Sequence, residues 1–197
     1  MKINQKLIEA LKTGNNILTT AQVIELGFSK TLVSQYVKAG LLIRIRQGQY
    51  SVPDLPYDDM YSLSLCSSKI IFSHDTALFL NCLSERTPAK HSITIPSNSS
   101  LPLSFQDECI CYYIKPELYL LGLTENKTTF GNLVRCYNLE RTICDLVRSR
   151  NKLEEELVLT AIKKYAQSKN KDLNLLSIYA RKFKVENVIK SYLEVLL

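Results

Sequence analysis

At 197 residues the chain is long enough for one sizeable core, or for a small domain beside a medium one. Its composition, 46% hydrophobic and 22% charged, is ordinary for a globular protein, and no apolar run nears the ~18 residues of a membrane span. The net charge of +6 is uneven: basic and acidic side chains number seven and three in residues 1–55, nine and ten in 56–150, and nine and six in 151–197.

A basic head on a near-neutral body points to an anionic partner for the head. The start, "MKINQKLIEALKTGNN", is amphipathic and lacks the features of a secretory signal, so a cytoplasmic location is expected. Cys66, Cys82, Cys109, Cys111, Cys136 and Cys144 include no C-x-x-C pair and read as small buried hydrophobes of a reducing compartment. His74 and His91 have no cysteine at metal-ligand spacing, so both read as structural or surface residues; no metal and no cofactor is expected.

In chain order, Ile3, Leu7, Ile8 and Leu11 recur at helical spacing, with Gly14 and Asn15 as a stop. Thr19 and Gln22 form a capping box for a short second helix with Val23, Ile24 and Leu26 as its apolar face and Gly27 as the turn. Ser29 caps a third helix with an apolar stripe of Leu32, Val33, Tyr36 and Val37, ended by Gly40. Helix, glycine turn, helix is the arrangement with which many proteins enter the DNA major groove. The opposite face of the third helix carries Lys30, Thr31, Ser34, Gln35 and Lys38, groups suited to base edges and phosphates. "LLIRIRQGQYSV" then alternates, with Arg44 and Arg46 on one face, and Gln47-Gly48 turns it into a hairpin, a basic wing for the phosphate backbone or a minor groove; the same elements also make protein-interaction winged helices, with the arginines keeping an exposed strand soluble.

"PDLPYDD" marks a break, giving a DNA-binding module over 1–55 and a larger body over 56–197. The body reads as α+β: a helix capped by Asp58 or Asp59, a strand at "KIIF", a helix capped by Ser73, strands at "HSITIPSN" and "ECICYYI", and a helix "NLERTICDLVRSR" capped by Asn138. Strands are expected within 69–137. Helices follow over 153–166, 173–183 and 185–196.

The head, together with "FSHDTALFLNCLSERTP", "SITIPSN" and "NLERTICDLVRSR", resembles the AbiEi antitoxins of bacterial abortive-infection toxin–antitoxin systems. The resemblance implies a winged helix-turn-helix that binds inverted repeats in its own promoter and represses the operon. It also implies a C-terminal antitoxin domain that counteracts a nucleotidyltransferase-like toxin without a stable complex, a role in phage defence, and no membrane partner.

No motif in the body explains that second role. Arg141, Asp145 and Arg148 fall on one stripe of the 138–150 helix, where they would grip a phosphate or a partner's carboxylate, or simply form an intrahelical ion pair worth a few tenths of a kcal/mol. The order Asp107 … Glu125-Asn126-Lys127 is that of some metal-dependent nucleases, but "GLTENKTTFG" reads as a polar turn where that chemistry needs a rigid strand. Catalytic residues are therefore not expected. A one-component regulator with a ligand-sensing body is the alternative of a different class.

Overall fold

In the computed structural model, which describes residues 2–102 and 107–196, α1 (Gln5–Thr13) starts at Asn4, whose side chain accepts the Lys6 amide, and buries Leu7 and Leu11. It ends at Gly14, and the reversal is completed by Asn15 and Asn16 in the left-handed region. A two-residue strand β1 (Leu18–Thr19) follows, which alternation does not reveal because it is so short. The Thr19–Gln22 capping box then opens α2 (Thr20–Glu25), and Ser29 opens α3 (Lys30–Lys38). Ile24 differs from expectation. It lies on the solvent side of α2, and Val23 alone is fully buried there, because a six-residue helix presents fewer than two turns to the core.

β2 (Ile43–Arg46) and β3 (Gln49–Ser51) form the hairpin, and β3 pairs also with β1, giving a three-stranded antiparallel sheet in the order β1-β3-β2. Leu7, Leu11, Leu18, Val23, Val33, Tyr36 and Leu42 close one small core.

The described chain forms two compact units, Met1–Cys66 with Thr128–Asn132, and Ser67–Lys127 with Leu133–Leu197. The first extends past the expected 1–55 because "PDLPYDD" is structured. Asp58 is buried, caps α4 (Asp59–Ser64) through the Tyr61 amide, and accepts hydrogen bonds from Thr128 Oγ1 and Asn132 Nδ2.

The second unit is built on a five-stranded mixed sheet, β6-β5-β4-β8-β7, of β4 (Ile71–Phe72), β5 (His91–Pro96), β6 (Cys109–Ile114), β7 (Leu123–Lys127) and β8 (Leu133–Tyr137). Its helices are α5 (His74–Leu80), α6 (Pro116–Tyr119), α7 (Leu139–Arg148), α8 (Glu155–Gln167), α9 (Leu173–Phe183) and α10 (Glu186–Leu196), with a 3₁₀ turn at Arg150–Lys152. Mixed α+β architecture is therefore observed, with ten α-helices and two sheets among the described residues. Leu78, Ile143, Val158, Ile162, Tyr165, Leu176, Phe183 and Ile189 knit α5 and α7–α10 into one core.

Two local expectations are corrected here. Ser73 precedes α5 but its hydroxyl does not cap it; that oxygen is engaged by Thr94 Oγ1 at 2.8 Å and by His74 Nδ1 at 3.0 Å. "GLTENKTTFG" is a turn only in its second part, at residues 128–131: Glu125-Asn126-Lys127 lies within β7, held antiparallel to β8 with Glu125 opposite Arg135.

Candidate nucleic-acid interface

The orientation of α3 follows from its buried stripe. Val33 and Tyr36 are in the core, Leu32 and Val37 half-buried, and the Tyr36 hydroxyl accepts the Asn4 amide at 3.1 Å, tying α3 to the start of α1. At 3.6 residues per turn the opposite face must then meet solvent. Lys30, Thr31, Ser34, Gln35 and Lys38 are all exposed on it, and α3 contains no acidic residue. The N-terminal turn is fixed by Ser29 Oγ, which accepts the Leu32 amide at 3.2 Å. Ser34 Oγ donates back to the Lys30 carbonyl at 3.2 Å, which leaves its lone pairs outward as acceptors.

The hairpin is anchored close by. The Gly48 carbonyl accepts both the Thr20 amide at 2.8 Å and Thr20 Oγ1 at 3.2 Å, so its tip is clamped to the first residue of α2. Gly48 takes φ of 72°, a left-handed value that glycine adopts without steric cost, and Gln47 beside it is exposed.

Arg44 and Arg46, expected on one face, part company. The register runs Arg44 opposite Tyr50 but Arg46 opposite Gln49, a bulge that breaks the two-residue alternation. Arg44 is exposed. Arg46 turns inward, its side chain only 9% accessible, and its guanidinium pairs with Asp59 at 2.8 Å and donates to Ser62 Oγ. A guanidinium so shielded and paired does not face a duplex, so Arg46 is removed from the expected interface and joins the packing of β2 against α4.

In the second unit, the stripe expected on the surface of α7 is interior. Glu140 to Val147 are all buried, with Arg141 at 0% and Asp145 at 1% accessibility. Arg141 Nε donates to Asp145 Oδ2 at 2.9 Å, and its Nη1 donates to the carbonyls of Leu118 at 2.8 Å and Leu121 at 2.7 Å. The guanidinium carbon lies 4.0 Å from the Tyr137 ring centre and 4.2 Å from that of Phe183. Gly122 makes room for it: a Cβ there would meet Arg141 Cβ at 2.6 Å, and φ is 76°. Burial pushes the Asp145 carboxyl above its ordinary value, against the pull of Arg141 and Arg148. Of the three stripe residues, only Arg148 reaches solvent, and it lies 3.9 Å from Asp145 Oδ1. The Arg141–Asp145 pair therefore organises the interior and grips no partner.

Asp107 and Glu125-x-Lys127 are separated by the sheet itself. Asp107 precedes β6 at one edge and Glu125 sits on β7 at the other, four strand spacings or roughly 19 Å across. These side chains do not converge on one ion. Among the described residues no group of three or more His, Cys, Asp or Glu is placed to hold a metal, and no helix is long and apolar enough to cross a membrane.

Sequence reasoning missed Asp58 as an anchor, since its partners Thr128 and Asn132 lie 70 and 74 positions away. His74 is a structural residue and not a surface one. It is fully buried, stacked on Tyr112 with ring centres 3.5 Å apart, and burial together with the positive charges of Arg148 and Arg141 holds its imidazole well below the ordinary value.

Comparison with known proteins finds a family match over the N-terminal helices and the hairpin. Residues 5–53 match the family described as transcriptional regulator, AbiEi antitoxin. This is a family of regulatory antitoxins and not of enzymes. No curated protein matches the chain in sequence. The crystal structure of the RV2827C protein from Mycobacterium tuberculosis shares the fold, with a TM-score of 0.55 over 95% of this chain and 79% of that one, at 10% identity.

Proposed function

We propose that this chain is an autoregulating antitoxin of the AbiEi type. Its N-terminal unit binds inverted repeats in its own promoter and represses the operon, with α3 in the major groove and the β2–β3 hairpin as a wing on the backbone. Lys30, Thr31, Ser34, Gln35 and Lys38 form the reading face, Arg44 and Gln47 the wing contact. The observation that carries this reading is the exposed, acid-free polar face of α3, which falls inside the segment matched by the AbiEi family. Cations there displace counterions from phosphates, and hydroxyl and amide groups between them address base edges.

The remaining unit is the antitoxic half. It counteracts a nucleotidyltransferase-like toxin encoded beside it, without a stable complex. Two experiments test the halves separately. Full-length protein titrated against its upstream DNA should bind that duplex in preference to a scrambled one, with affinity falling as salt rises; equal affinity for both sequences contradicts the regulatory half. Co-expression with the neighbouring gene should restore growth, and continued growth arrest contradicts the antitoxic half.

A further inference from the structure

Where α7 runs into the 3₁₀ turn, a cavity of about 400 Å³ opens beside β6, the outermost strand of the five-stranded sheet. Arg148, Ser149, Asn151 and Lys152 form one wall, Tyr112 and Tyr113 the other. Among the described residues no carboxylate lines it. Asp75 and Glu154 border a neighbouring cavity that shares only Lys152, and Asp145 lies behind the wall, 3.9 Å from Arg148.

Three features make this more than a patch of surface cations. First, Asp145 faces two guanidiniums. Arg141 takes it at 2.9 Å, Arg148 remains at 3.9 Å, and one positive charge is left in excess at the cavity wall. Second, a buried hydroxyl–imidazole chain ends at Ser149. Thr94 Oγ1 donates to Ser73 Oγ, which lies 3.0 Å from His74 Nδ1, and Nε2 lies 3.0 Å from Ser149 Oγ, so the tautomer protonated at Nε2 donates to Ser149. In that tautomer the Ser149 proton is left to donate into the cavity. Third, Arg150 Nη1 donates to the Val147 carbonyl at 2.9 Å, which offsets the negative end of α7 where it meets the site.

We propose that this cavity binds a phosphoryl group, held by Arg148 and Lys152 as cations and Ser149 as hydroxyl donor, a chemistry supplied by either a mononucleotide or free phosphate. A guanidinium fork and a rotatable ammonium suit a tetrahedral dianion, and the half-exposed Tyr113 ring stands where a base would stack. The inference is independent of promoter binding and of the identity of any toxin.

The test is calorimetric titration of the full-length protein with inorganic phosphate, pyrophosphate and each ribonucleoside mono- and triphosphate. Saturable binding is expected, weakened by about tenfold or more in Arg148→Gln, partly restored in Arg148→Lys, and weakened by about threefold in Ser149→Ala. Nucleotides binding more tightly than phosphate assign the first source, and equal affinities assign the second. Cys111, which borders the cavity, gives a second readout, because a bound probe should slow its alkylation. Absence of saturable binding by every probe at millimolar concentration overturns the proposal. So does an Arg148→Gln variant of unchanged thermal stability that binds as the parent does.

Discussion

α3 and α7 resemble each other as sequence, each an apolar stripe beside a stripe of basic and hydrogen-bonding groups, yet the first turns that stripe to solvent and the second buries it. Periodicity reports that a helix has two unlike sides; it does not report what lies against the second one. α3 has a core on one side only. α7 is surrounded, and its Arg141 is tolerated inside because Asp145, one turn on, supplies a countercharge while the Leu118 and Leu121 carbonyls take further protons. Arg44 and Arg46 differ in the same way, the first exposed and the second shielded and paired with Asp59.

The largest effect that sharpens this comparison is Arg141→Ala. It strands a buried carboxylate and should cost about 3–5 kcal/mol in denaturant unfolding, whereas the folded fraction should bind DNA as before. The reverse pattern is expected on α3. Thr31→Ala and Gln35→Ala should leave the unfolding midpoint within about 0.5 kcal/mol and cost about 1–3 kcal/mol each in binding the cognate duplex, with little change for a scrambled one.

Acidity separates the units next. His74 is neutral in the fold, with its value depressed, while in the unfolded chain it takes a proton near pH 6.5. Stability should therefore fall as pH drops below about 6.5, by up to about 1.4 kcal/mol per unit, until the folded imidazole also titrates. A His74→Gln variant should lose that component of the slope in pH-dependent thermal melts.

In the hairpin, Arg44→Ala should lower affinity for all duplexes alike and reduce the salt slope by about one phosphate. Arg46→Ala should instead lower stability and leave the slope in place. If Arg46→Ala alone flattens the slope, the inward assignment fails. The smallest effect is kinetic. The hydrogen bond from Cys109, 3.5 Å away, pulls the Cys111 thiol down to about 7, so its alkylation should rise with a midpoint near there, and Cys109→Ala should move the midpoint upward.

What was legible in the sequence was what neighbours in the chain decide. The Thr19–Gln22 box, the Ser29 and Asn138 caps and the bounds of α9 depend on side chains three or four positions apart, and all stand as read. The exposed face of α3 was readable for the same reason. Arg46 was not, because its direction is set by a bulge and by Asp59, thirteen positions on. β1 escaped notice since two residues carry no period, and the strand at Glu125-Asn126-Lys127 was hidden by polar residues whose order comes from pairing with β8. The α7 cluster was visible as a pattern, but its burial depends on five helices packing together, which no local window contains.

The central claim, that α3 offers its polar face to a specific duplex, is tested most directly by fluorescence anisotropy of labelled upstream DNA against a scrambled duplex of equal length. The account predicts preference for the upstream sequence by a factor on the order of 10³ or more at physiological salt, largely abolished in the Thr31→Ala, Gln35→Ala double variant. Equal binding to the two duplexes, or a double variant that keeps full preference, contradicts it.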